Sequence, residues 1–177
     1  MSSLESIFLI ASLAGVTLTL LFAIIASTTS RRSKSKTPGG LSMAAKVLTY
    51  LSLASITLTI VFRAIQTGHG PFSNMYEFAI AFVWGIIIMG VIFEWRYKTA
   101  TVKNMGLIVS LLLLIFAIVQ HSKPEPLVPA LQQSALLSVH VASAVVAYGV
   151  FTIGFGAAIL YLVQNSRNSN WLPDKEV

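Results

Sequence analysis

Cysteine is absent from the 177 residues. That excludes a disulfide framework, a thiolate metal site and a cysteine nucleophile. Charge is scarce as well: Asp, Glu, Lys and Arg make up 10% of the chain, against 55% apolar residues. A soluble domain of this size does not carry several long uncharged runs, so the composition excludes an ordinary water-soluble fold. Missing too are an internal repeat, a glycine-rich phosphate loop, HExxH, GxSxG and any paired-carboxylate motif, which leaves a hydrolase nothing to work with. The net charge of +6 does not point to nucleic acid, because the basic residues sit in short segments between apolar runs, where they set membrane topology.

What is present is a set of apolar runs. They predict an all-α polytopic membrane protein, a bundle of five transmembrane helices with its N-terminus outside. The spans fall at about 4–27, 44–65, 76–93, 100–120 and 134–164, making one unit over 1–165, and 166–177 is a polar tail. Roughly 20 apolar residues cross a hydrocarbon core, and the fourth run reaches that length only by borrowing residues before Met105. No basic residue precedes the first run and Arg31, Arg32, Lys34 and Lys36 follow it, an order expected of a retained span and not of a cleaved leader. Lys46 joins that cluster, Arg96, Lys98 and Lys103 follow the third span, and Arg167 and Lys175 lie in the tail. Glu94–Lys98, with Lys103, reads as an aromatic and basic belt at an interface. The positive-inside rule then places these regions in the cytoplasm or its equivalent, and the N-terminus, the 68–74 turn and the 122–133 loop on the outside. All three histidines, His69, His121 and His140, fall at that outer face.

Two stretches carry chemistry. The first is Arg63–Glu77, RAIQTGHGPFSNMYE, a tight turn between the second and third spans. Gly68, Gly70 and Pro71 bend it, His69 is expected to bond locally within it, and Asn74 followed by Glu77 has capping-box spacing. Glu77 either caps the third helix or pairs with Arg63 across the turn, since charges one turn inside a membrane helix need partners. The second stretch is 129–148, PALQQSALLSVHVASAVVAY, where a proline-bounded polar segment enters the fifth helix. About thirty helical residues span ~45 Å, more than the hydrocarbon core needs, so His140 is expected one turn above the apolar slab. Ser143, Ala144, Ala147 and Tyr148 are its neighbours at helical spacing. Those small residues suit helix packing, with His140 bonded to a neighbouring helix. They also suit a flat ligand, in which case an imidazole in apolar surroundings fits haem iron better than a hard cation. His121 reads as a solvated loop residue.

Both stretches resemble one family, the CcsA/ResC-type (system II) cytochrome c biogenesis proteins. Arg63–Glu77, closing with Phe82 and Trp84, is similar to the family's arginine, Gly-His-x-Pro and Ser-Asn/Asp-x-Tyr-Glu block. Leu127–Gln132 followed by His140, Val141 and Tyr148 resembles its Val-Pro-Ala-Leu-Gln-Ser block and its His-Val helix with a tyrosine eight residues on. The tryptophan usual before the His-Val pair is replaced here by Ala135 and Leu136, and the spacing from Pro129 to His140 is one residue longer. The family's tryptophan-rich segment and second outer histidine lie further C-terminal and have no counterpart, so the chain resembles the N-terminal half alone.

The resemblance implies a protein of the bacterial plasma membrane or plastid thylakoid membrane that holds or delivers haem b transiently at the outer face, for covalent attachment to apocytochrome c. It implies His140 as an axial ligand to haem iron, with Tyr148 beside it and Arg63 offsetting a propionate, while His69, Pro71, Asn74 and Glu77 keep structural roles. No residue is assigned a catalytic role, because the tryptophan-rich half is missing. The implied partners are membrane lipid, a CcsB/ResB-type membrane protein, apocytochrome c and a C-terminal half supplied in trans. A different class of reading is a small non-catalytic subunit or assembly factor that binds no cofactor and packs on a larger complex through Ser143, Ala147, Gly149, Gly154 and Gly156.

Overall fold

The computed structural model describes residues 3–33, 39–70, 73–120 and 134–166. Five helices follow in order: α1 Ser3–Ser33, α2 Gly39–Thr67, α3 Met75–Tyr97, α4 Thr101–Gln120 and α5 Ser134–Ser166. The described residues contain no strand. All five helices are long and apolar enough to cross a membrane; the chain is a multi-pass membrane protein. Each helix holds one of the expected apolar runs, and α1, α2 and α3 continue beyond theirs, because backbone hydrogen bonding in a helix does not stop where the side chains turn polar. Pro71, His121, the 122–133 loop and residues 167–177 of the tail lie outside the described residues.

Inside a membrane, association rests on close packing and satisfied polar groups more than on escape from water. The α1–α2 pair shows how the sequence meets that demand. Ser12, Thr19, Thr49, Ser52 and Thr59 are all buried. Thr19, Thr49 and Ser52 donate to the carbonyls of Gly15, Ala45 and Leu48, each at 2.8 Å, and Thr59 donates to Ser55 at 3.0 Å. A hydroxyl folded back onto the preceding turn is small and already satisfied, so the two backbones can approach closely.

The core is built on α3, which packs on α2, α4 and α5. Tyr76, Ile80, Val83 and Ile87 meet Leu9 and Val16 of α1, Ile56 of α2, and Leu107 and Leu114 of α4. α3 stops where Lys98 takes a left-handed conformation (φ 60°) and donates its N–H to Glu94 O at 2.8 Å. The turn to α4 is then so short that the two helices run antiparallel side by side.

α5 docks through two patches. Val141 and Val145 meet Ala81, Phe78, Phe82 and Trp84 of α3, while Ile153 and Leu160 meet Val102 of α4. Between the patches the α3 and α5 backbones touch: a Cβ added to Gly85 would stand 2.6 Å from Val145 O, and one on Gly149 2.7 Å from Gly85 O. Gly156 likewise lies against Met105, but Gly154 has open space around it. The small residues of α5 therefore divide, with Gly149 and Gly156 serving the bundle while Gly154 faces away from it.

Candidate functional site

By chain direction, the start of α1, the α2–α3 turn and the start of α5 lie at one end of the bundle. The turn there is organised by Glu77. Asn74, in extended conformation (φ −150°, ψ 169°), caps α3 by accepting from Glu77 N at 3.0 Å. The Glu77 carboxylate reaches back past the N-cap to accept from Ser73 N at 2.9 Å and Ser73 Oγ at 2.8 Å, a capping-box variant shifted by one residue. It also accepts from Arg63 Nε at 2.9 Å. The capping role and the cross-turn ion pair thus hold together, one oxygen serving each. Asn74→Ala is expected to cost about 1 kcal/mol in thermal unfolding, and Asn74→Asp should not restore it fully, because Asn74 Nδ2 donates to Glu77 Oε1 at 3.3 Å and an aspartate there would face that carboxylate.

Arg63 is 1% exposed and bridges two acids. Its Nη1 lies 3.8 Å from Glu5 Oε1 on α1, and its guanidinium sits 5.1 Å from the centre of the Tyr76 ring. Tyr76 donates to Glu5 Oε1 at 2.8 Å and Gln66 donates to Glu5 Oε2 at 3.2 Å. Glu5 and Glu77 are both fully buried. The result is a buried network tying α1, α2 and α3 together at this end. A propionate reaching Arg63 would have to displace one of two carboxylates already on it, so the guanidinium is placed to organise the turn. Tyr76 is the tyrosine of the Ser-Asn/Asp-x-Tyr-Glu block, but its partner Glu5 lies outside both motif blocks. The available signal was Glu5 itself, an acid inside the first apolar run that required a partner at the same depth.

The same turn holds His69. α2 ends at Gly68, whose φ of 73° suits glycine, with Gly68 N donating to Ala64 O at 2.9 Å. Thr67 Oγ1 lies 3.1 Å from His69 O, and His69 Nδ1 lies 2.7 Å from Gly70 O. A carbonyl only accepts, so Nδ1 carries the proton.

His140 is set differently. It is exposed on α5, and its ring makes no hydrogen bond to another described residue. Its carbonyl accepts from Ser143 Oγ at 2.7 Å, which folds that hydroxyl against the helix. Leu136, Val139 and Phe151 are exposed on the same helix. Tyr148 packs edge-on against Phe82, with ring centres 5.2 Å apart, and remains 57% exposed. The structure therefore brings Arg63, His69, Asn74 and Glu77 into one turn, and places His140 and Tyr148 on a separate exposed face at the same end.

At the opposite end Lys103, expected in the interfacial belt, is interior. It is 2% exposed, with Nζ 2.7 Å from Glu94 Oε2 and 3.2 Å from Thr49 Oγ1. Lys103 falls on the first turn of α4, and that turn faces α2 and α3, which supply an anion and a hydroxyl to hold the ammonium.

The profile of a family described as cytochrome C assembly protein matches residues 72–176, which takes in Glu77, His140 and Tyr148. The chain belongs to this family. Proteins named cytochrome c biogenesis protein CcsA resemble this cytochrome C assembly family member over most of its length. That of Pyropia yezoensis is 30% identical over 71% of this chain and 40% of its own, and that of Guillardia theta 33% identical over 63% and 38%. That of Prochlorococcus marinus strain MIT 9301 is 30% identical over 70% and 42%. The chain thus spans about two fifths of the length of the curated relatives it matches. No solved structure matches significantly.

Proposed function

We propose that this chain works in cytochrome c biogenesis, holding haem b transiently at the outer face of a bacterial plasma membrane or plastid thylakoid membrane for attachment to apocytochrome c. The observation that carries this reading is His140: one imidazole, exposed at a helix end, among small and aromatic side chains. Among the described residues no three His, Cys, Asp or Glu side chains gather as a cation site would require. Haem can be held by a single imidazole donor beside a flat apolar seat, and His140 with the small residues around it would fit that need. Haem is the cargo here, and it supplies the group to be joined to the apocytochrome. His140 would present a neutral ring nitrogen to the iron, the short side chains of Ser143, Ala144 and Ala147 would leave room for the porphyrin, and Tyr148 would border it.

The Glu5–Arg63–Glu77 network supports this by fixing the ends of α1, α2 and α3 at the same end of the bundle as His140. A CcsB/ResB-type membrane protein and apocytochrome c are the partners of this reading. A second reading, a subunit that binds no cofactor, draws on the open space at Gly154. It expects Gly154→Leu to disrupt association and His140→Ala to be silent.

Purification of the chain from haem-replete membranes separates the two. Absorbance of bound haem should be present in the parent and largely lost in His140→Ala, with helical circular dichroism unchanged. Reporter fusions at residue 130 should report the outer side. Equal haem in parent and variant, or a cytoplasmic residue 130, would overturn the haem reading.

A further inference from the structure

The end of the bundle remote from His140 holds a cavity of about 530 Å³ that the haem reading does not use. Its walls are mostly apolar, among them Leu20 and Ala23 of α1, Ala45 of α2, Ile108 of α4 and Leu160 of α5. Lys46, Glu94 and Lys103 also line it. Lys46 and Glu94 are shared with a smaller cleft of about 150 Å³ walled by Tyr50, Trp95 and Lys98. The two spaces meet along this pair, one mostly apolar and one of mixed lining.

The charges at that junction are unequal. Glu94 lies between Lys46 Nζ at 3.6 Å and Lys103 Nζ at 2.7 Å. One carboxylate thus faces two ammonium groups, and Lys98, over the Trp95 ring at 5.8 Å, adds a third. Lys103 is spent inside on Glu94 and Thr49. Lys46, whose side chain is 54% exposed, keeps most of its surface toward solvent. Arg31 and Arg32 fall in the last turn of α1, at this same end. An excess of positive charge at the mouth of an apolar cavity, bordered by an exposed tryptophan and tyrosine, is complementary to a molecule with a single anionic head and a hydrocarbon tail.

We propose that this cavity is a binding site for one anionic phospholipid of the surrounding leaflet. An acyl chain occupies the space between α1, α2 and α4, and the phosphate lies in the cleft between Lys46 and Lys98. Basic pockets between membrane helices on the positive side recognise acidic head groups in this way, through the local charge excess at the surface. Glu94 would set the selectivity, since it neutralises one ammonium and disfavours head groups of higher negative charge. The bound chain would fill the space between α1 and α4 that the protein's own side chains leave open.

The test uses the full-length chain, delipidated in mild detergent and titrated separately with phosphatidylglycerol and phosphatidylcholine of identical acyl chains, with native mass spectrometry counting bound lipid. One phosphatidylglycerol should be retained in preference to phosphatidylcholine. Lys46→Gln and Lys98→Gln should each weaken retention about fivefold, and Ala23→Phe, which fills the cavity without touching a charge, should abolish it. Helical circular dichroism of each variant checks that the bundle persists. Equal retention of the two lipids, or retention unaltered in Ala23→Phe, would overturn the proposal. Retention appearing only after residues 167–177 are deleted would place the chain's own tail in the cavity and overturn it equally.

Discussion

Arg63→Leu is expected to destabilise the bundle by about 3–5 kcal/mol, the range for removing one partner of a buried ion pair. Arg63 is 1% exposed, and its two acids, Glu5 and Glu77, are fully buried, so neither carboxylate can recover hydration without local opening. Tyr76 and Gln66 still donate to Glu5, and Ser73 to Glu77, but these bonds leave both charges uncompensated. Arg63→Lys should recover only part of the loss. A single ammonium cannot reproduce the planar fork that meets Glu77 through Nε at 2.9 Å while facing Glu5 through Nη1 at 3.8 Å. The double variant Arg63→Leu/Glu77→Gln should be less damaged than the sum of the single changes, because it removes an unpaired charge with its partner. Thermal unfolding in detergent, followed by circular dichroism, provides the cycle. A loss below about 0.5 kcal/mol in Arg63→Leu would mean that the acids reach water, contrary to the packing described.

Gly85→Leu should separate α5 from α3. Overpacking a tight core costs about 1–3 kcal/mol when side chains can shift. Here the first atom added would lie 2.6 Å from a backbone carbonyl, Val145 O, which cannot rotate away. The crossing must open, and the contacts of Val141 and Val145 with Ala81 open with it. The absence of native cysteine makes the measurement clean. Ala81→Cys with Val141→Cys should cross-link in the parent background and fail to do so with Gly85→Leu. Gly154→Leu, at a position with open space around it, serves as the control that should cross-link normally. Cross-linking that survives Gly85→Leu would show that the helices do not depend on this approach.

Much of the turn at Arg63–Glu77 could be read in advance, because its contacts are local: Asn74, Glu77 and Ser73 lie within one helical turn, and Arg63 is set opposite by the shortness of the connection. The remainder of the network was not legible. Tyr76 meets Glu5 across 71 positions and Lys103 meets Thr49 across 54, pairings that helix arrangement creates and no spacing encodes. Lys103 misled for the same reason, since a lysine just past a span usually lies at the interface. In α5 the difficulty was the uniformity of the helix. It is apolar on every side, so periodicity could not distinguish Gly149 and Gly156, which touch neighbours, from Gly154, which touches none. His140 was visible as an anomaly in an apolar run. That its ring stands exposed on a separate face from Arg63 came only from the packing of α5.

The proposal rests on one nitrogen, and its most direct test is chemical replacement of that nitrogen. His140→Gly, purified from haem-replete membranes, is expected to lose the haem absorbance carried by the parent chain, and free imidazole added to the membranes should restore it with the spectrum of histidine ligation. Haem bound in His140→Gly without added imidazole, at the level and with the spectrum of the parent, would contradict the account.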